Sequence, residues 1–556
     1  MIDERHQHVV IGIDRATTPH LPRNKSIHPT TCTHPDRPLH IPPIRSLVCP
    51  VQRPQIVTNQ PTQLTTMAPS YPSTHPTEAT MSGDGDAARA PHVVLLSSPG
   101  MGHVVPVAEL ARRLHAEHGF TATVFTYASS DSAAQRAVLA SLPPAVGSAS
   151  LPEVPLDDLV AAGAAIETLL SVEAQRAVLA LTALLADIGE AHNLVAFVTD
   201  LFGADTLPAA RAAGVPGYLF FPSNLLMLSL MLHLPRLDAE IEGEFRDLTE
   251  PVRLPGCVPV PGADILQPLQ DRTSDAYRWM LHHGERYRDA DGILVNTFDA
   301  IEPGAAAVLR RQESWRPPVY PVGPVIRRPD DGEDATGCIE WLDAQPDRSV
   351  LFVSFGSGGA LTAAQMDELA RGLELSGQRF LWVVRSPTDS GADPGANYYD
   401  GSKSKDYPLQ FLPFGFLERT KEVGLVVPSW APQVRVLGHR ATRAMLTHCG
   451  WNSVLESVMH GVPIITWPLY AEQRENAVML HEETKVALRP KVRGAQGLIL
   501  GEDIAEVVND MMNDKEGEVA QRKVVKLQEA ARSGLAPSGI SHKTLMELVS
   551  KWKNTR

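Results

Sequence analysis

The sequence has few cysteines and pairs none of them. Cys32, Cys49, Cys257, Cys338 and Cys449 lie far apart with no C-x-x-C pair, so neither a disulfide framework nor a structural zinc site is indicated, and a reducing compartment is the default. No uninterrupted apolar run approaches the roughly 18 to 20 residues that span a bilayer. The richest segment, Leu219 to Pro235, is broken by proline, asparagine and histidine, so no stable membrane insertion is expected. No secretory signal is expected, because M-I-D-E-R-H-Q-H opens with acids and no adequate apolar core follows. Positive charge is short as well. The formal net charge is -14; the first 80 residues are slightly positive and the remainder carries about -16, which argues against nucleic acid or an anionic membrane as partner. The expectation is a soluble cytoplasmic protein.

At 556 residues and 43% hydrophobic, the chain is long enough for two domains with real cores. Residues 1–88 are rich in Pro, Thr and His with little apolar periodicity; such a segment cannot bury enough surface to offset the entropy of ordering it, and disorder is expected. Met67 and Met81 both read as alternative starts. An organelle transit peptide is disfavoured by the early acids and the scarcity of Arg/Ser-rich amphipathic pattern.

From Pro91 onward, short β-branched runs alternate with Ala/Leu-rich stretches, the pattern of βα units and a parallel sheet. Strands are expected at Val93, Thr121, Leu194, Gly217 and Gly292, and again at Ser349, Phe380, Gly424, Arg443 and Val462. Between the two sets, Pro321 to Gly337 has the proline, glycine and charge content of a linker. The predicted division is a first α/β domain over 89–325, a linker over 326–340, a second α/β domain over 341–535 and a C-terminal helix within 536–556. Two Rossmann-like domains of this kind face each other across a cleft and bind ligands outside the carboxyl ends of their strands. Thr388 to Gln410 reads as a long surface loop.

In T-H-C-G-W-N-S-V-L-E, Trp451, Leu455, Val458 and Met459 recur at helical spacing, which predicts a helix from about Asn452 to His460 that stops at Gly461. Its first turn offers free backbone N–H groups and the positive end of the helix dipole, and Asn452 and Ser453 add side-chain donors: a seat for a diphosphate. Read alone, the same two residues are helix caps. A second anion seat is F-G-S-G-G, Phe355 to Gly359, where glycines admit close backbone approach. Trp430 could stack on a planar base with Gln433 close by. Glu456 could accept from ribose hydroxyls, and Glu472 and Gln473 could hold sugar hydroxyls.

In the first half, S-S-P-G-M-G-H places His103 after a glycine turn at the mouth of a helix. A dinucleotide fingerprint fails, since Val105 stands where the third glycine belongs and no acid closes the next strand. Taken by itself His103 is a helix-start histidine. Asp200, however, ends the strand L-V-A-F-V-T-D, where parallel order can bring a carboxylate to the imidazole. No D-x-D motif ends a strand; D-G-D at Asp84 to Asp86 lies in the lead-in.

The 44 residues from Trp430 to Gln473 resemble the signature box of the plant secondary-product UDP-glycosyltransferases. The similarity extends over about Pro91 to Lys553, and V-T-D-L-F-G, F-L-W-V-V-R-S-P and W-P-L-Y-A-E-Q are most similar to its hydroquinone glucosyltransferase (arbutin synthase) branch. The resemblance implies a GT-B fold with an acceptor-binding N-terminal domain and a UDP-sugar-binding C-terminal domain. It makes His103 the general base and Asp200 its orienting acid. Trp430, Ala431, Gln433 and Glu456 would meet the uridine; Ser357, His448, Asn452 and Ser453 the diphosphate; Trp451, Glu472 and Gln473 the sugar. The implied reaction is metal-free, inverting transfer of glucose from UDP-glucose to a small phenolic hydroxyl, with no cofactor. The acceptor pocket is expected near Phe221 and Leu225, residues that read equally as ordinary core. The C-terminal helix is expected to pack back on the first domain. Arg443 and Ala444 replace a usual glycine pair, which implies a strained or rebuilt turn if the first position needs positive φ. Two other readings stay open on sequence: a nucleotide-sugar enzyme such as an epimerase, and a non-catalytic UDP-sugar-binding protein.

Overall fold

In the computed structural model, residues 89–130, 132–329, 334–388, 407–493 and 497–554 are described. The N-terminal extension 1–88, most of the loop expected over 388–410 and part of the linker lie outside them. The β-branched and aromatic runs form parallel strands, nearly all buried on both faces because helices cover each side. One sheet contains β1 (Pro91–Leu96), β2 (Thr121–Tyr127), β3 (Val146–Leu151), β4 (Asn193–Asp200), β5 (Gly217–Phe221), β6 (Gly292–Val295) and β7 (Val319–Pro321) in the order β3-β2-β1-β4-β5-β6-β7. The other contains β8 (Val350–Ser354), β9 (Arg379–Val384), β10 (Gly424–Pro428), β11 (Thr442–Thr447), β12 (Ile464–Thr466) and β13 (Ala487–Leu488) in the order β10-β9-β8-β11-β12-β13.

Both sheets therefore contain the doubly wound order in which chain direction along the sheet reverses beside the first strand. The reversal lies between β1 and β4 in one and between β8 and β11 in the other. Flanking connections leave these points in opposite directions, opening a crevice at the strand carboxyl ends. The two-domain α/β architecture expected from the sequence is present. Three strands escaped the sequence pattern. β3 is a largely exposed edge strand of small residues, V-G-S-A-S-L, β7 is three residues ending in proline, and β13 has two residues; none offers the β-branched run that the pattern requires.

Among the described residues one helix, Ile166–Ala191, is long and apolar enough to cross a bilayer by length and composition, with mean hydropathy 1.5 over its richest window. A search for uninterrupted apolar runs passes over it. Its stripe Leu170, Ala174, Ala177, Leu181 and Leu185 is buried, the last four in one cluster with Val94, Phe125 and Phe197 of the sheet, while Leu179 on the opposite side is 85% exposed.

The stretch Pro321 to Gly337 begins inside the first domain's core: Val322 and Val325 are buried, and Arg113 Nη1 donates to the Val322 carbonyl at 2.7 Å. The last helix, Ile540–Lys553, buries Leu545, Leu548 and Trp552 in that same cluster, with the indole against Phe120 and Tyr218. At roughly 1.5–3 kcal/mol per buried large apolar side chain, this helix is firmly held.

Candidate active site

The carboxyl ends of the two sheets enclose a cleft of about 870 Å³. On the first domain β1 ends at Leu96, the chain turns through Gly100 at φ 102°, and the helix Met101–His118 begins, carrying His103 in its first turn. Asp200, the last residue of β4, is fully buried. Its carboxylate accepts from Ser98 N and Ser98 Oγ, both at 2.7 Å, and from Phe202 N at 3.3 Å. The same group lies 3.0 Å from His103 Nδ1. An ionised carboxylate only accepts, so Nδ1 carries the proton and Nε2 keeps its lone pair on a ring that lines the cleft. Such an imidazole can take a proton from a ligand hydroxyl and be stabilised by Asp200 once charged.

The second domain presents two glycine-containing turns to the cleft. One follows β8 through Gly356 at φ 72°; the other follows β11 through Cys449 at φ 66° into the helix Trp451–Met459. His448 sits between them. Cβ atoms placed on Gly356 and Gly450 would lie 2.6 and 2.4 Å from its Nε2, so glycine at both positions is a steric requirement. Burial pushes the His448 imidazole down to about 4. It is neutral at neutral pH and acts as a hydrogen-bonding group rather than as a cation. Gln433 ties the rest together: Nε2 donates to Ser453 Oγ at 3.0 Å and Glu456 Oε2 at 2.7 Å, and Oε1 accepts from Ser354 Oγ at 3.2 Å. Burial raises the Glu456 carboxyl to about 7, against the downward pull of Gln433 and Arg327.

Ser357, Trp430, Ala431, Gln433, His448, Trp451, Asn452, Ser453, Glu456, Glu472 and Gln473 all line this cleft with His103. Trp430 is half exposed at its rim. Gln473 Oε1 is occupied by Leu469 N and Tyr470 N at 2.9 and 3.0 Å, and Glu472 Oε1 accepts from Ser223 Oγ at 3.2 Å. Burial raises the Glu472 carboxyl above its ordinary value.

Phe221 and Leu225 require correction. Both are fully buried in the core of the first domain and neither lines the cleft. β5 is covered on both faces, and Leu225 starts a helix whose N-cap is Asn224, which turns these two side chains inward. Ser223 and Met227 of the same segment, with Phe202 and Met280, are the cleft-lining residues. Phe202 stands in the V-T-D-L-F-G motif, its ring 5.7 Å from that of His103, and Met227 is two positions from Leu225 on the helix; Met280 carried no signal in the sequence. The strain considered at Arg443 is not found. The residue lies within β11, outside the left-handed region, and the β11–β8 register shifts between Thr442 and Ala444 to accommodate it. Among the described residues no three His, Cys, Asp or Glu side chains converge as a metal-binding set, and D-G-D at Asp84 to Asp86 lies outside those residues.

The family profile described as UDP-glucoronosyl and UDP-glucosyl transferase matches residues 333–520. UDP-glycosyltransferase 72B1 of Arabidopsis thaliana is 48% identical over 473 residues, covering 84% of this chain and 97% of the relative. The hydroquinone glucosyltransferase of Rauvolfia serpentina is 47% identical over 466 residues, covering 84% and 98%. Among solved structures, Phytolacca americana UGT2 complexed with UDP-2fluoro-glucose and pterostilbene superposes with a TM-score of 0.77 at 45% identity, over 84% of this chain and 100% of that one. With that likeness over the whole described body, and two facing doubly wound sheets of the GT-B fold, the chain belongs to the UDP-glycosyltransferase family.

Proposed function

We propose that the protein is an inverting glucosyltransferase that moves glucose from UDP-glucose to the hydroxyl of a small phenol, giving a β-O-glucoside. The observation that carries this reading is the shared cleft, with His103 and Asp200 on one wall and the Trp430 to Gln473 cradle on the other. Relatives whose names point to phenolic ligands, the hydroquinone glucosyltransferase and the structure holding pterostilbene, support the acceptor class. Trp430 stacks on the uracil beside Ala431, with Gln433 and Glu456 at the ribose. Ser357, Asn452, Ser453 and His448 meet the diphosphate, and Glu472 and Gln473 meet the sugar. The phenol lies against Phe202, Met227 and Met280 with its oxygen toward His103 Nε2.

A phenol is a far weaker acid than an imidazolium, so full proton transfer before attack is costly. Proton loss therefore accompanies formation of the new bond to the anomeric carbon, on the face opposite the departing diphosphate. UDP leaves without needing a proton near neutral pH. Its developing charge is met by first-turn N–H groups of the helix Trp451–Met459 and by a hydrogen bond from neutral His448. The proposal includes no metal or other cofactor. It also includes a cytoplasmic setting, which suits the unpaired thiols of Cys257, Cys338 and Cys449.

The test is incubation with labelled UDP-glucose and hydroquinone, with the product anomer read by NMR. β-Glucoside formation unaffected by EDTA is expected, and His103→Ala should lower kcat by about 10²–10⁴-fold while UDP affinity holds. Altered sugar without transfer, binding alone, an α-product, or full activity in the variant would overturn the reading.

A further inference from the structure

Two consecutive residues of the helix Trp451–Met459 cross to the other domain. Trp451 Nε1 donates to the main-chain carbonyl of Asn296 at 2.7 Å, and Asn452 Nδ2 donates to the main-chain carbonyl of Gly102 at 3.1 Å. Gly102 precedes the proposed base and follows β1; Asn296 follows β6. β4 and β5 lie between those strands in the sheet. The N-terminus of the donor helix is thus held at two points that bracket the end of β4, where Asp200 lies.

Asn296 does more than accept from the indole. It is fully buried, its Oδ1 accepts from Val325 N at 2.6 Å, and its Nδ2 donates to the Val325 carbonyl at 3.0 Å. Gly323 passes so close that a Cβ there would lie 2.8 Å from Asn296 Oδ1. One residue therefore joins three parts: the end of β6, the chain leaving the first domain, and the helix that seats the diphosphate. Trp451 is nearly buried, with its single donor committed to this contact, so its indole N–H is not free for a sugar hydroxyl.

We propose that Asn296 is a positioning residue for glycosyl transfer, which acts through the Trp451 indole to set the distance between the anomeric carbon of the bound donor and His103. The proposal rests on the transferase reading above. Reacting atoms must come within about 3–3.5 Å, and a displacement near 1 Å is worth on the order of 10²-fold in rate; a hydrogen-bonded strut beside the diphosphate seat controls displacements of that size. Donor binding depends mainly on the second domain, whereas the gap to the base depends on the strut.

The experiment compares wild type, Asn296→Ala and Trp451→Phe in the full chain, with active sites counted by UDP titration. Both variants are expected to lose about tenfold or more in kcat per UDP-binding site, with the UDP Kd within about twofold of wild type. Both should also release more glucose by attack of water on the anomeric carbon for each glucoside formed, because a loosened gap admits water. That ratio does not depend on how much protein is folded, so a purely structural role would leave it unmoved. Asn296→Asp, which keeps the bond from Val325 N and loses the donated one, should fall between. If Asn296→Ala does not fold, Trp451→Phe decides. Wild-type kcat per site and wild-type partitioning in the folded variants would overturn the inference, whereas a wild type that makes no glucoside overturns the transferase reading instead.

Discussion

Glu456 is held where burial and function pull in opposite directions. Its carboxyl is raised to about 7 by loss of solvent, while Gln433 and Arg327 favour the ionised form. On the proposed reading it binds the ribose, where the ionised group is the stronger acceptor, so UDP affinity should weaken as the pH is lowered from 8 to 6. In Glu456→Gln that dependence should shrink to the part set by protonation of the terminal phosphate of UDP, with affinity at pH 8 reduced about ten- to hundredfold, the worth of a charge-assisted hydrogen bond of roughly 1.5–3 kcal/mol. Titration calorimetry across this range checks both statements; an affinity in the wild type that stays flat would remove Glu456 from the ribose. His448, pushed down to about 4 by burial, does not change charge in the same window and does not blur the measurement.

Two elements carry sharper expectations than any single polar contact. The turns after β8 and β11 are separate in sequence but touch through the His448 ring, wedged against Gly356 and Gly450. Gly356→Ala places a side chain at φ 72°, costing about 1–3 kcal/mol of strain, and pushes the imidazole out of its slot. UDP affinity should fall about tenfold or more while uridine, which lacks the diphosphate, is affected less; comparable losses for both ligands would show that the diphosphate seat is not what was disturbed. The helix Ile540–Lys553 makes the opposite case. Trp552 is fully buried against Phe120 and Tyr218, so Trp552→Ala should lower unfolding stability by about 3–5 kcal/mol, read by urea denaturation. The UDP Kd should not move, because this helix packs on the first domain, away from the cradle.

For the molecule as a whole, buried titratable groups set a pH profile of stability. Burial raises Glu302 and Glu456 to about 7, and burial together with Glu472 and Asp264 raises Glu475 to about 8. Burial also lowers His92, His283 and His448 to about 4. The glutamates hold protons in the folded state that the unfolded chain releases above about 4.5, so their contribution is present below that pH and is lost as the pH rises through about 7 to 8. The histidines do the reverse: their contribution is present above about 6.5 and is lost as the pH falls through about 4. The opposing slopes overlap between roughly pH 4.5 and 6.5, which is where the melting temperature of the ligand-free protein should be highest, with a decline toward pH 8.5. Glu475 uses one oxygen to accept from Leu266 N across the domain interface, and its Oε2 has no hydrogen-bond partner among the described residues. Glu475→Gln should therefore flatten the alkaline decline and leave the melting temperature at pH 5 nearly unchanged. An unchanged alkaline slope would show that this group is not the source.

Local chemistry was enough to read the alternation of strands and helices and the glycine turns before His103 and Trp451, because each depends on contiguous residues; the long Trp430 to Gln473 box was legible through its resemblance to a known family. The same contiguity could not say which side of a strand end faces the cleft. Phe221 and Leu225 are as apolar as Phe202 and Met227, and only the packing of β5 between two helical layers sends the first pair into the core. Nor could it show that the Trp451 indole is committed to Asn296, 155 positions away, or that the glycines at 356 and 450 meet on one imidazole. The glycines meet because β8 and β11 lie side by side in one sheet, and the indole reaches Asn296 because the carboxyl ends of the two sheets face each other. Strand order and domain facing are properties of the whole fold, and no short stretch of chain encodes them.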